Sequence, residues 1–218
     1  MKYVVRELEP LHEKEILELR EKVLNSLEDK DFYIPEDDQS DFILSHFPPN
    51  GRTLGVFKDL KLIAYGAILF KSSSSENNLS SISGLNEKLS LNIVDFSAFM
   101  THPDFRGEGL HKKLLNECDK VADSYNKKAY LAMISTKNFI SLKNFLAVGF
   151  RIEAICKPCE NHNNLRFIVA KTENFKPSPP STFVDIDDVD GHRRELKSGK
   201  AGCLIFPGKS GEMCVGYC

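Results

Sequence analysis

Thr101-His102-Pro103-Asp104-Phe105-Arg106-Gly107-Glu108-Gly109-Leu110-His111 follows a nearly continuous apolar run, residues 92–101, whose lone charge is Asp95. Such a run reads as a strand buried on both faces. Pro103 and Gly107 stop it, and helical spacing takes over at once. Leu110, Leu114, Leu115, Cys118, Val121, Ala122 and Tyr125 fall on one face, which predicts a helix from about 109 to 126. A strand, a tight turn and a helix opening at glycines have a chemical consequence. Glycine lets a ligand approach the backbone, and the first-turn N–H groups of a helix have no internal partners. With the helix dipole they make an anion site suited to a pyrophosphate. The same residues would also serve a plain strand-to-helix connection.

Upstream, residues 3–8 read as a first strand. Leu11, Ile16, Leu17, Val23 and Leu24 mark an amphipathic helix, and an acidic loop broken by Pro35 follows. A short helix over 41–47 ends at Pro48-Pro49-Asn50-Gly51, and strands 53–57 and 62–70 form a hairpin. Residues 71–87, rich in serine and asparagine, read as a loop or insertion. Downstream, 129–134 is a buried strand. Residues 138–148 form a helix with Phe139, Leu142, Phe145 and Leu146 inward and Gly149 as C-cap. Strands 150–155 and 165–170 are expected to close the sheet as a final pair. Beyond a linker, Lys176-Pro177-Ser178-Pro179-Pro180, lie a helix over about 184–197 and a hairpin of 203–206 with 213–217. The order implies an α/β fold: a mixed central sheet, flanking helices and a C-terminal helix-hairpin extension.

Asn138, Ser141, Phe145, Gly149 and Phe150 form the pattern N-x-x-S-x-x-x-F-x-x-x-G-F at the start and along the helix after the next strand. Here the sequence resembles the GNAT superfamily of acyl-CoA N-acyltransferases. That family's Q/R-x-x-G-x-G/A loop is matched at Arg106 and Gly109, and its N-x-x-A…Y…G-F helix by 138–150 with the spacing kept. The resemblance covers roughly 1–172. The tail also resembles an uncharacterised subgroup with a C-terminal helix-hairpin, which sets a division into a domain of 1–175 and an extension of 176–218. It implies acetyl-CoA as acyl donor. The backbone of Phe99, Met100 and Thr101 would pair with the pantetheine arm, and the N–H groups of Arg106, Gly107, Glu108, Gly109, Leu110 and His111 would hold the pyrophosphate. Asn138 and Ser141 would lie on the CoA arm, and the central strands would splay apart to admit an acceptor amine.

Two positions depart from the pattern. The last small residue of the loop is the bulky His111, and Phe145 stands where a tyrosine usually protonates the departing thiolate. A thiol pKa near 8.5 makes the thiolate a tolerable leaving group without that acid. For the base, Asp95 is the first candidate, since burial raises a carboxylate's pKa, and His102 at the strand's end is the second. Each has a structural alternative: a hydrogen-bonded aspartate, or a histidine that caps a turn.

Composition narrows the field further. The chain has 218 residues, 41% apolar and 28% charged, with net charge −2 and a pI near 6.3, so no broad basic surface invites nucleic acid. The first residues lack the apolar region of a secretory signal, and the longest uncharged apolar stretch, 62–70, is far short of a bilayer span. A soluble cytoplasmic protein is expected, with its six cysteines reduced and no metal. Cys156, Cys159 and His162 lack a fourth zinc ligand at knuckle spacing. Asp188-Val189-Asp190-Gly191 would put Ile186 and Lys197 at calcium positions, and Gly208-Lys209-Ser210 does not open a helix. The reading is an N-acetyltransferase acting on a small-molecule or peptide amine. Its rivals are a CoA-binding module without catalysis and an interaction protein on the same scaffold, with the C-terminal extension as a homodimer contact.

Overall fold

The computed structural model describes residues 3–34, 39–70, 79–80, 93–158, 164–172, 178–208 and 211–218. The chain divides into two compact units, 1–73 with 92–127, and 74–91 with 128–218.

In the first unit β1 (Val4–Leu8), β2 (Gly51–Lys58), β3 (Lys61–Leu69) and β4 (Ile93–Thr101) run antiparallel in that order. The β2–β3 turn closes on Asp59 and Leu60, both at positive φ, as a two-residue hairpin requires. Helices α1 (Glu13–Asn25) and α2 (Gln39–His46) cover one face. Their Ile16, Leu19, Val23 and Phe42 join Leu8, Phe57, Leu62, Tyr65 and Met100 in one core. Helix α3 (Leu110–Ser124) buries Leu110, Leu114, Leu115, Cys118 and Ala122 against β2, β3 and β4. Tyr125, expected on that buried face, lies past the helix end and is 45% exposed. Its hydroxyl accepts from Arg52 Nε at 2.9 Å and its ring leans on Phe70, so a polar partner at the surface outweighs the helical period.

The second unit holds β5 (Ala129–Ser135), β6 (Arg151–Cys156), β7 (Arg166–Thr172), β8 (Thr182–Asp185), β9 (Gly202–Pro207) and β10 (Met213–Tyr217). Their order is β5-β7-β6-β9-β10-β8, and neighbouring pairs are antiparallel. Strands β6 and β7 are therefore not the end of the sheet. Ile152 of β6 pairs with Gly202 of β9, where a Cβ would sit 2.9 Å from the Ile152 side chain, so the lack of one lets the strands meet. Helix α4 (Phe139–Ala147) ends at Gly149, φ 95°, and α5 (Val189–Lys197) packs on β6. The C-terminal helix starts later than its pattern suggests. Residues 182–185 pair with β10 as a strand, and Asp188 caps the helix by accepting from Gly191 N at 2.9 Å.

One expectation is overturned. Cys203 and Cys218 form a disulfide, with Cα atoms 6.4 Å apart. Ala201 and Cys218 exchange two backbone hydrogen bonds of 3.0 Å, which brings the chain end beside Cys203. The expectation of reduced thiols followed from a presumed compartment, whereas strand pairing sets the distance. Cys118, Cys156 and Cys214 are free. The zinc question at Cys156, Cys159 and His162 falls partly on residues outside those described, as do most of the 71–87 loop, part of the linker, Lys209 and Ser210. Among the described residues no group of His, Cys, Asp or Glu could hold a metal, and no helix is long and apolar enough to cross a membrane.

Candidate cofactor site

β4 does not keep a regular register with β3. Tyr65 pairs with Met100 and Ala67 with Ser97, so Gly66 alone faces both Ala98 and Phe99. This is a β-bulge, and Ala98 takes the strained position at φ 53°. Its effect is to reverse which side chains face which helix. Regular alternation would put Phe96 and Met100 on one side. Instead Phe96 and Phe99 stack at 5.9 Å, while Met100 turns to the α1–α2 core and accepts from the Tyr65 hydroxyl at 3.2 Å. Phe99 lies flat over Gly66, where a Cβ would come within 2.5 Å of its ring. Asp95 is buried, 3% exposed, opposite Leu69, and Thr101 pairs with Ala64.

At the strand's end His102 N donates to Ile63 O at 2.8 Å. Its Nδ1 accepts from Asp104 N at 3.3 Å and so caps the turn Pro103–Phe105, which leaves Nε2 as the protonated nitrogen. Burial, followed by the nearby Lys61, lowers its pKa. The histidine thus caps the turn, and its Nε2 carries the proton and can donate a hydrogen bond but not accept one.

The loop then takes two left-handed steps, Gly107 at φ 82° and Gly109 at φ 75°. A Cβ at either would meet nothing within 4 Å, so the turn presents open backbone. Gly109 is the N-cap of α3, and its carbonyl receives Lys113 N at 3.0 Å. The N–H groups before Lys113 have no acceptor within the helix. His111 does not crowd this face. Its ring stacks on Phe99 at 5.4 Å, and loss of water lowers its pKa to about 4. It is a neutral packing residue and brings no cation to the loop. The two charged side chains of the loop are held elsewhere. Arg106 Nη2 donates to Ser26 Oγ at 2.7 Å, and the Tyr3 hydroxyl donates to Glu108 Oε2.

The first unit thus gathers Asp95, Phe99, Met100, Thr101, His102 and the six loop residues on β4, its turn and α3. Asn138 and Ser141 belong to the second unit, where Asn138 Oδ1 accepts from Ser141 N at 3.0 Å and caps α4. Phe145 is buried there, edge-on to Phe150 at 5.0 Å. The bulge was not read from the sequence, because alanine carries no signal of positive φ. Gly66, a lone glycine in an apolar strand, was the available sign of close approach. Tyr3 and Ser26 carried none.

The fold has counterparts among solved structures. A putative acetyltransferase of the GNAT family from Desulfovibrio desulfuricans matches at TM-score 0.57 and 15% identity, covering 78% of this chain and 99% of its own. The chain has the GNAT fold. The ribosomal-protein-S18-alanine N-acetyltransferase from Escherichia coli shares the GNAT fold with it at TM-score 0.58 and 12% identity, over 81% of this chain and all of its own. A putative acetyltransferase from Salmonella typhimurium, solved with its cofactor acetyl-CoA, matches at TM-score 0.60 and 16% identity over 84% of this chain and all of its own. No family model matches the sequence, and no curated protein does.

Proposed function

We propose that this chain binds acetyl-CoA on the 106–111 loop and transfers the acetyl group to the primary amine of an acceptor. The observation that carries the reading is the loop itself. Two glycines at positive φ turn a bulged strand into a 15-residue helix, and neither crowds the turn with a side chain. Aligned N–H groups with a helix dipole behind them suit a pyrophosphate. The GNAT fold supports that reading, because neighbours of the same fold include one solved with acetyl-CoA.

In this scheme the backbone of Phe99, Met100 and Thr101 pairs with the pantetheine arm. The amine nitrogen attacks the thioester carbonyl, the C–S bond breaks and CoA leaves as thiolate. Asp95, directly or through water, takes the proton shed by the amine; His102, the second candidate, could do so only through Nδ1, after that atom gives up Asp104 N. Phe145 has no proton to give, so departure relies on the acidity of the thiol, at a cost of about 10²–10⁴ in rate relative to an enzyme with a general acid. Phe145 also favours a second reading, a CoA-binding module without turnover.

Thermal unfolding with and without acetyl-CoA tests the reading. Ligand at 100 times Kd adds about 2.7 kcal/mol, and for a chain of this size the midpoint should rise by roughly 5–10 °C. Gly109→Glu should abolish the rise. No rise at millimolar ligand sinks both the transferase and the module. A rise with no amine-dependent release of CoA leaves the module.

A further inference from the structure

We propose that Tyr3 is a positioning residue for the cofactor loop, which it serves by keeping the Glu108 carboxylate off the loop's own anion site; this rests on the acetyl-CoA reading above. Glu108 lies between the two left-handed glycines and immediately before the N-cap of α3. A carboxylate there is the nearest anion to the amides that would hold a pyrophosphate. Helix N-termini attract carboxylates as readily as phosphates. Left to itself, Glu108 is an internal competitor, and its charge also repels an incoming diphosphate.

The structure shows what holds it away. The Tyr3 hydroxyl, at the foot of β1, donates to Glu108 Oε2. Lys113 Nζ, from the first turn of α3, reaches the Tyr3 carbonyl at 3.5 Å, so β1 and α3 are tied on the same side of the loop. Arg106 is drawn off in the same way, to Ser26 Oγ at the end of α1. With both charged side chains engaged, what the loop offers outward is backbone, and neither glycine adds a side chain to it. Tyr3 sits 105 residues from Glu108 in sequence, so no local motif marks the pair.

The test is a double-mutant cycle read as the dissociation constant for coenzyme A in the full chain. A freed Glu108 carboxylate competes with the diphosphate and repels it, so Tyr3→Phe should weaken binding about tenfold, or about 1.4 kcal/mol. The ring is kept and only the hydroxyl is lost. Glu108→Gln alone should bind as well as the parent or better. The decisive variant is Tyr3→Phe with Glu108→Gln, in which removal of the stray charge should restore parental affinity. A purely structural Tyr3 would give a loss that Glu108→Gln does not rescue, and that outcome overturns the proposal. Equal binding by Tyr3→Phe and the parent overturns it as well. If the parent chain binds no coenzyme A, the cofactor reading fails first and takes this inference with it, a result distinct from either of the other two.

Discussion

His111 shows how one side chain can look like a ligand and act as packing. It occupies a position where the family pattern wants a small residue, and a histidine beside a pyrophosphate would ordinarily be read as a donor. In the structure its ring continues the Phe96–Phe99 stack and its pKa falls to about 4. A histidine whose folded pKa lies below its unfolded value stabilises the fold only while both states are neutral. As pH falls below 6.5 the unfolded chain takes up a proton and the folded chain does not, so stability is lost through the window from 6.5 down to 4. By pH 5 the loss attributable to this group is about 2 kcal/mol. His111→Phe keeps the stack without the titration. Urea unfolding at pH 7 and pH 5 should therefore show a smaller drop for the variant. His102 and His192, whose pKa values are also lowered by burial, titrate in both proteins and cancel. An equal drop in both would mean that His111 is solvated.

Among the elements, β9 and β10 show what a pattern leaves out. Their hairpin was legible, since alternation and the Pro207-Gly208 turn announce it. Their covalent tie was not, because six cysteines allow many pairings and spacing alone chooses none. Closing a loop with a separation of 15 residues is worth about 3 kcal/mol by the chain-entropy account. Reduction should lower the unfolding midpoint by roughly 6–12 °C. Cys218→Ser should match the reduced parent and show no further response to reductant. A parent indifferent to reductant would show that the two thiols are not bonded in solution.

At the scale of the whole molecule, the sequence divides the chain into a domain of 1–175 and a C-terminal helix-hairpin extension of 176–218, and in the second unit strands of that extension lie in one sheet with β5, β6 and β7. Ile152 of β6 meets Gly202 of β9, and Phe167 of β7 lies edge-on to His192 of α5 at 5.1 Å. His192 in turn receives the Tyr217 hydroxyl at 2.7 Å, with Nε2 donating to Ile186 O. Residues 178–218 therefore cover two side chains with no exposed surface, Ile152 and Phe167. Each large apolar side chain uncovered costs about 1.5–3 kcal/mol. Ending the chain at 177 should give a protein that unfolds well below the full chain or aggregates. A truncated chain with an unchanged midpoint would show that the extension adds nothing to that core.

Most of the element order could be read from the sequence by itself, because hydrophobic period and glycine and proline punctuation act over a few residues. That is why β4, its turn and α3 were placed within two residues of their observed ends, and why Gly107 and Gly109 marked the turn. What needed the tertiary structure was every feature set by residues far apart in the chain. The bulge at Ala98 exists because Gly66, on another strand, makes room for Phe99. The neutral state of His111 follows from burial against that same ring, the disulfide from strand pairing, and the hold on Glu108 from a tyrosine 105 residues away. Local rules fix which segments become strands and helices. Only packing decides which faces they turn to one another, and with that which charges reach the loop.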